Sequence, residues 1–163
     1  MKKLFLIILC AVIGILVYKK NDEIIIPSDA IRVRIIANSN NIEDLYQKKQ
    51  IKESIKNDLY GLVKDAKNSV EASNILKNNI KSIKEIVKKR TNNFTIDYGS
   101  NYFPKKEYKG VIYPEGNYNS LVITLGNGLG DNWWCVLYPP LCLIDDNPNT
   151  SDIEYKLLIK GLL

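Results

Sequence analysis

The sequence is organised around Gly126-Asn-Gly-Leu-Gly-Asp-Asn-Trp-Trp-Cys-Val-Leu-Tyr-Pro-Pro-Leu-Cys142, which holds both tryptophans and two of the three cysteines. Its three glycines permit backbone angles that other residues avoid, so they end the apolar run Leu121–Leu125 and turn the chain. Residues 133–138 predict a short strand. Pro139-Pro140 ends that strand, because proline cannot donate a hydrogen bond to a β-ladder.

The adjacent tryptophans have two interpretations. Successive residues of a strand point to opposite faces, so Trp133 and Trp134 cannot both fill the core. One of them is therefore predicted to lie on a half-exposed face, where aromatic residues beside a rigid loop often mark a contact site. Two interpretations of the tryptophan pair stay open: an anchor in the hydrophobic core, or part of a surface that binds a partner. A phosphate-binding role for the glycine loop is excluded, because the loop precedes a strand and not a helix.

The N-terminus has the pattern of an export signal. Two lysines precede an apolar run of 14 residues, Leu4 to Val17, and Lys19-Lys20 follows it. That length suits a signal peptide better than a spanning helix, which needs about 20 residues. We predict that residues 1–20 are a signal peptide or signal anchor, that 21–30 form a linker, and that 31–163 form one domain outside the cytoplasm.

Behind an export signal, Cys135 and Cys142 most simply pair as a disulfide. The bond would fix the Pro139-Pro140 turn beside the tryptophans. A reactive thiol is the alternative, but the chain has no histidine and no C-x-x-C spacing to activate one.

Composition narrows the function classes. The absence of histidine excludes Ser-His and Cys-His dyads and an HExxH zinc site. No metal or organic cofactor is indicated. Residues 41–90 carry 12 basic against 7 acidic side chains, whereas residues 91–163 carry 5 against 8. The basic helical region could meet anionic lipid, cell-wall polymer or an acidic partner, or it could be an ordinary solvated surface.

Hydrophobic periodicity predicts the elements. Residues 30–37 form a strand with one apolar face and with Arg32 and Arg34 on the other. A helix runs from Ile42 to about Ala66, and a capping box at Asn68 and Glu71 begins a second helix. The later strands are predicted at 93–98, 110–113, 118–125 and 133–138, with a turn at 99–101, a connection at 114–117 and a final short helix from Ser151 through Ile159.

This order predicts an α+β fold. A mainly antiparallel sheet packs against an antiparallel helix pair, and an N-terminal export segment precedes the domain.

Three acidic residues, Glu107, Glu115 and Asp131, lie in the region rich in glycine and tyrosine. Glycosidases use a pair of acidic residues near aromatic rings. Exposed aromatic side chains can also bind sugars without cleaving them. The alternative is that all three are turn residues.

Four segments carry a family resemblance: Ile31-Arg-Val-Arg-Ile-Ile-Ala-Asn-Ser39, Asn101-Tyr-Phe-Pro104, Tyr113-Pro-Glu-Gly-Asn-Tyr118 and Gly130 to Cys142. Together they resemble the stage II sporulation protein R family, from Ile31 to Cys142. The resemblance implies a protein that the forespore exports into the space between the forespore and mother-cell membranes. There it would activate a membrane-embedded aspartic protease of the mother cell, which processes the precursor of sigma factor E.

The resemblance thus implies a sporulation signal that acts by binding and is not an enzyme. It binds no nucleic acid, and it contacts the membrane only through residues 1–20 if these are uncleaved. Our candidate contact residues are Tyr102, Asn132, Trp133, Trp134 and Tyr138, with Arg32 and Arg34 as second choice. Two other hypotheses stay open: a protein that binds or hydrolyses cell-wall glycan through Glu115 or Asp131, and an envelope interaction module anchored by its N-terminal segment.

Overall fold

A computed structural model describes residues 24–142 and 151–163, together with Lys3. Apart from Lys3, the predicted export segment therefore lies outside the described residues. The strands are β1 (Ile24–Ile25), β2 (Ile31–Ile36), β3 (Phe94–Phe103), β4 (Lys106–Tyr108), β5 (Val111–Tyr113), β6 (Gly116–Leu125) and β7 (Asn132–Tyr138). The helices are α1 (Ile42–Val63), α2 (Ser69–Lys88) and α3 (Asp152–Leu162). Within the described ranges, no helix has the length and apolar character needed to cross a membrane.

The strands form two sheets. The larger has the order β3-β6-β2-β7, and the smaller has the order β1-β5-β4. Three of the five strand pairings are antiparallel, whereas β2 with β6 and β1 with β5 run parallel. The α+β prediction is confirmed. The parallel pairs were not foreseen, because they join strands that are far apart in the chain.

The helix pair covers one face of the larger sheet. Only residues 64–68 separate α1 from α2, so the second helix returns antiparallel to the first. The side chain of Asn68 accepts a hydrogen bond from the Glu71 backbone N–H at 2.9 Å. Glu71 in turn accepts from the backbone N–H of Lys67 at 2.8 Å, one residue before the position that a capping box uses.

Strand alternation divides the interior into two cores. Odd-numbered residues of β2, β6 and β7 face the helices, and they form the first core with the inner sides of α1 and α2. The opposite face of the sheet packs on the smaller sheet and on α3 to form the second core, which includes Phe103, Val111, Tyr118, Val136 and Tyr155. All three helices and both sheets therefore contribute to burying the central strands.

Two segments differ from their predicted roles. The predicted turn at 99–101 lies inside β3, which pairs without interruption along ten residues of β6. Continuous pairing supplies the ladder that local sequence preference did not indicate. In the predicted linker, Ile24–Ile25 forms β1 beside β5, and Ile24 and Ile26 are buried in the second core.

The glycine loop is locked against the connection between β2 and α1. The side-chain oxygen of Asn38 accepts from the Asn127 N–H at 2.9 Å, and that of Asn40 accepts from the Asp131 N–H at 2.7 Å. The Gly130 N–H donates to the carbonyl of Ala37 at 2.9 Å. These backbone donors are used within the fold, so the loop positions the start of β7.

Candidate functional site

Arg32 and Arg34 lie on the second face of the larger sheet, on the interior strand β2. Arg32 is only 2% exposed, and Arg34 is partly buried. Their position follows from alternation along β2, since Ile31, Val33 and Ile35 point into the first core. The smaller sheet and α3 cover this face and remove the Arg32 side chain from water.

Aromatic rings surround both guanidinium groups. The central guanidinium carbon of Arg32 lies 4.2 Å from the centre of the Phe103 ring and 4.9 Å from that of Tyr118. The same carbon of Arg34 lies 4.1 Å from the Phe103 centre and 5.4 Å from that of Trp134. A cation over an aromatic face gains about 2 kcal/mol when it is desolvated. The rings therefore offset part of the cost of burying these charges.

Burial lowers the pKa of Arg32 to about 10, and the positive charge of Arg34 acts in the same direction against the opposing effect of Tyr118 and Tyr113. Burial also lowers the pKa of Arg34. Both side chains remain cationic at neutral pH. The face therefore holds two adjacent positive charges in a largely apolar environment.

Neither arginine is neutralised by the described part of the chain. Within residues 24–142 and 151–163, Arg32, Arg34 and Lys106 form no salt bridge. Arg34 donates one hydrogen bond, to the backbone carbonyl of Tyr102 at 2.6 Å. In the same ranges, the buried side-chain polar atoms without a partner are Arg32 Nε, Arg34 Nε, Ser120 Oγ and Trp134 Nε1. All four belong to the second face of the larger sheet.

A pocket of about 190 Å³ opens beside Arg32. It lies between the two edge strands β7 and β4, and its walls are Arg32, Lys106, Tyr108, Tyr113, Asn132, Trp133, Trp134 and Cys135. The ammonium nitrogen of Lys106 is 5.6 Å from the Trp134 ring centre and 5.7 Å from that of Tyr108. The pocket thus combines cations with aromatic walls, and none of the described residues that line it carries a carboxylate.

The structure brings together four of the predicted contact residues, because Arg32, Asn132, Trp133 and Trp134 all line the pocket. The two tryptophans belong to opposite faces, as predicted: Trp133 packs against the first core and Trp134 against the second. Arg34 lies beside the pocket, next to the Trp134 ring.

Two predicted residues lie apart from the pocket. The Tyr138 hydroxyl donates to the carbonyl of Ala66 at 3.3 Å, so this ring ties β7 to the helix side. Tyr102 is 55% exposed, and its hydroxyl donates to Glu115 at 3.3 Å. Whether any of the seven residues contacts a partner stays a prediction.

Sequence reasoning did not assign five residues that shape this site: Phe103, Lys106, Tyr108, Tyr113 and Tyr118. The signal was available for three of them, since Phe103, Tyr113 and Tyr118 belong to segments that carried the family resemblance. Their convergence on Arg32 depends on the packing of the smaller sheet against the larger one, which residue spacing does not reveal.

The predicted disulfide is present between Cys135 and Cys142, with an S–S distance of 2.02 Å and a Cα–Cα distance of 5.1 Å. It closes the turn after β7, where the Leu141 N–H also donates to the Val136 carbonyl at 3.1 Å. Because Cys135 is a pocket residue, the bond holds one wall of the pocket in place.

None of the three candidate acids, Glu107, Glu115 and Asp131, lines the pocket. The Asp131 backbone belongs to the glycine-loop lock, and its carbonyl accepts from the Lys48 ammonium at 2.7 Å. Across the described residues, no cluster of three acidic or cysteine side chains could hold a metal ion.

The fold and the site together define an α+β domain with a cationic, aromatic-walled pocket between two sheet edges. The family model described as stage II sporulation protein R matches residues 27–148. The chain is also 38% identical over 132 residues to stage II sporulation protein R of Bacillus subtilis (strain 168). The chain therefore belongs to the stage II sporulation protein R family.

The match covers 77% of this chain and 59% of the Bacillus subtilis protein, so the chain spans less than two thirds of that relative. No solved structure matches the chain.

Proposed function

We propose that this protein is an exported sporulation signal that activates a membrane-embedded aspartic protease of the mother cell. Activation leads to processing of the precursor of sigma factor E. Family membership supports the sporulation role. The single structural observation that carries a binding mechanism is the pocket at Arg32, with its aromatic walls and with cations that no described carboxylate neutralises.

The pocket suits recognition because its charged and aromatic groups are already in place. Trp134 and the arginines pack against Phe103, whose ring is buried, so little side-chain freedom is lost when a partner docks. Activation by a bound ligand requires tighter binding to the active state than to the inactive state. The protein would act by docking on the exposed part of the protease and favouring its active arrangement.

Reconstitution in a heterologous cell tests this function. The membrane protease, its sigma precursor and this protein are co-expressed, with and without residues 1–20, and the precursor is followed by immunoblot. We expect cleavage only with the exported form. Trp134→Ala, in the pocket, should reduce cleavage, whereas Tyr46→Ala, an exposed ring on α1, should not.

Absence of cleavage with an exported, folded protein would contradict the proposed function. The glycan hypothesis would then be tested by a pull-down on purified peptidoglycan and an assay for soluble fragments. Loss of that activity in Glu115→Gln or Asp131→Asn would identify an enzyme.

A further inference from the structure

The unpartnered atoms of the second face share one chemical property. Arg32 Nε, Arg34 Nε and Trp134 Nε1 are donors only, and the Ser120 hydroxyl can also donate. The register places Ser120 opposite Arg32 on β6 and Trp134 opposite Arg34 on β7. A buried donor without an acceptor destabilises the fold, because it has lost its hydrogen bonds to water. Among the described residues, this face therefore carries more donors than acceptors, and the adjoining pocket favours a ligand that is rich in acceptors.

We infer that the pocket binds a carboxylate side chain presented by an extended acidic segment of a partner protein. This inference rests on the proposed function, since it names the chemistry by which the partner is recognised. Arg32 and Lys106 would hold the carboxylate, because hydrogen bonds between ionised groups are about twice as strong as neutral ones. Trp134 and Tyr108 would pack on the stem of the acidic side chain.

The dimensions of the pocket favour a single side chain. Its volume of about 190 Å³ is below the range of about 300–1,000 Å³ that small-molecule sites occupy. The edge strands β7 and β4 border the pocket, and an edge strand can pair with an extended peptide through main-chain hydrogen bonds. A neutral sugar fits less well, because its hydroxyl donors would find no carboxylate among the described residues of the lining.

Fluorescence titration of the full-length, disulfide-bonded protein tests the inference. Trp133 and Trp134 are the chain's two tryptophans and both line the pocket, so intrinsic emission reports its occupancy. The probes are an acetylated, amidated pentapeptide with one glutamate between valines, its glutamine counterpart, inorganic phosphate and a soluble muropeptide. We expect the glutamate peptide to shift the emission, the glutamine peptide to bind at least tenfold more weakly, and a Trp133→Phe variant to retain the signal.

Substitutions of Lys106 and Arg32 test whether these cations bind the glutamate peptide. Lys106→Gln should weaken binding of the glutamate peptide about threefold to tenfold, and Arg32→Gln should weaken it at least tenfold. Lys105→Gln removes the same charge one residue away, at an exposed position outside the pocket, and should change nothing. Lys106 is exposed, so its variant should fold even if Arg32→Gln does not.

Three outcomes overturn the inference: no emission shift at millimolar glutamate peptide, equal binding of the glutamine peptide, or preference for phosphate or muropeptide. The co-expression assay separates this failure from failure of the proposed function. If Lys106→Gln and Arg32→Gln, both folded, activate the protease normally, the signalling role stands and the carboxylate site is wrong. If the wild-type protein does not activate, the proposed function itself is wrong.

Discussion

At the scale of single residues, Arg32 is the one charged side chain that is buried in the described part of the chain. Moving a charge out of water costs several kcal/mol, and about 2 kcal/mol returns when an aromatic face receives the desolvated cation. The side chain is 2% exposed and forms no salt bridge within the described residues. Such a residue reduces stability, and its presence is consistent with a role in recognition.

We therefore expect Arg32→Met to preserve the fold and to raise the free energy of unfolding by about 1 kcal/mol, since an apolar chain of similar length avoids the desolvation cost. Urea denaturation followed by circular dichroism measures this change. The same variant should lose protease activation. A loss of 2 kcal/mol or more would show that the arginine is a structural anchor.

At the same scale, Asp44 holds the connection before α1. The Ser39 hydroxyl donates to its carboxylate at 2.5 Å and the Asn38 amide at 2.9 Å. The hydrogen bond from Ser39 has the largest effect and the one from Asn38 the next. Together they lower the pKa of the Asp44 carboxyl group below its ordinary 3.8. The carboxylate therefore contributes stability above pH 3.8, and this contribution is lost as the pH falls through the lower, folded-state pKa.

We expect Asp44→Asn to unfold at a lower urea concentration than the wild type at pH 7. The difference should shrink as the pH falls below 3.8, because the wild-type carboxylate then becomes protonated. Urea titrations between pH 2 and 7 test this. Glu43→Gln, an exposed acid in the same first helical turn, is the control and should show a much smaller difference. A constant difference across the range would contradict the linkage.

At the scale of elements, the glycine loop decides where β7 starts. The Leu129 N–H donates to the Asn38 carbonyl at 3.0 Å, beside the bonds from Asn127, Gly130 and Asp131. A Cβ added at Gly130 would meet the backbone carbonyl of Ser39 and lie 2.8 Å from the Cβ of Ala37. Since the obstruction is backbone, it cannot move aside as a flexible side chain would.

We expect Gly130→Ala to reduce the free energy of unfolding by about 1–3 kcal/mol, as overpacking does. Gly61→Ala is the matched control, because nothing lies within 4 Å of a Cβ added there, inside α1. That control should increase stability by about 0.5–1 kcal/mol, the helix preference of alanine over glycine. Chemical denaturation of both variants measures these changes. An unchanged free energy of unfolding in Gly130→Ala would contradict the close approach of the Ser39 backbone to Gly130.

At the scale of the whole molecule, the second core depends on α3. Tyr155 is completely buried, and its hydroxyl shares a hydrogen bond of 2.6 Å with that of Tyr113. Its ring also meets Tyr108 edge to face, with the ring centres 5.6 Å apart. Since Tyr108 and Tyr113 line the pocket, α3 supports the pocket wall from behind.

We expect Tyr155→Ala to cost about 3–5 kcal/mol of unfolding free energy, the range for truncating a buried aromatic residue. Leu157→Ala on the same helix, where the side chain is 66% exposed, should change stability by less than about 0.5 kcal/mol. Thermal and urea unfolding provide the measurement. Equal stability of the two variants would show that α3 does not complete the second core.

The sequence by itself determined the local features of this protein. Alternation along β2 placed Arg32 and Arg34 on one face, adjacency separated Trp133 from Trp134, and the export-type N-terminus led to the correct pairing of Cys135 with Cys142. The α+β class and the helix pair followed from periodicity. These features depend on neighbours a few residues apart, which residue spacing records directly.

Only the tertiary structure decided how the second face is covered. The parallel pairing of β2 with β6 and of β1 with β5 joins residues 87 or 88 positions apart in the chain, and the packing of the smaller sheet brings Lys106, Tyr108 and Tyr113 to Arg32. Local periodicity carries no information about such distant pairing. The sequence therefore could not predict that Arg32 is buried, because an alternating strand shows which residues share a face but not which element covers that face.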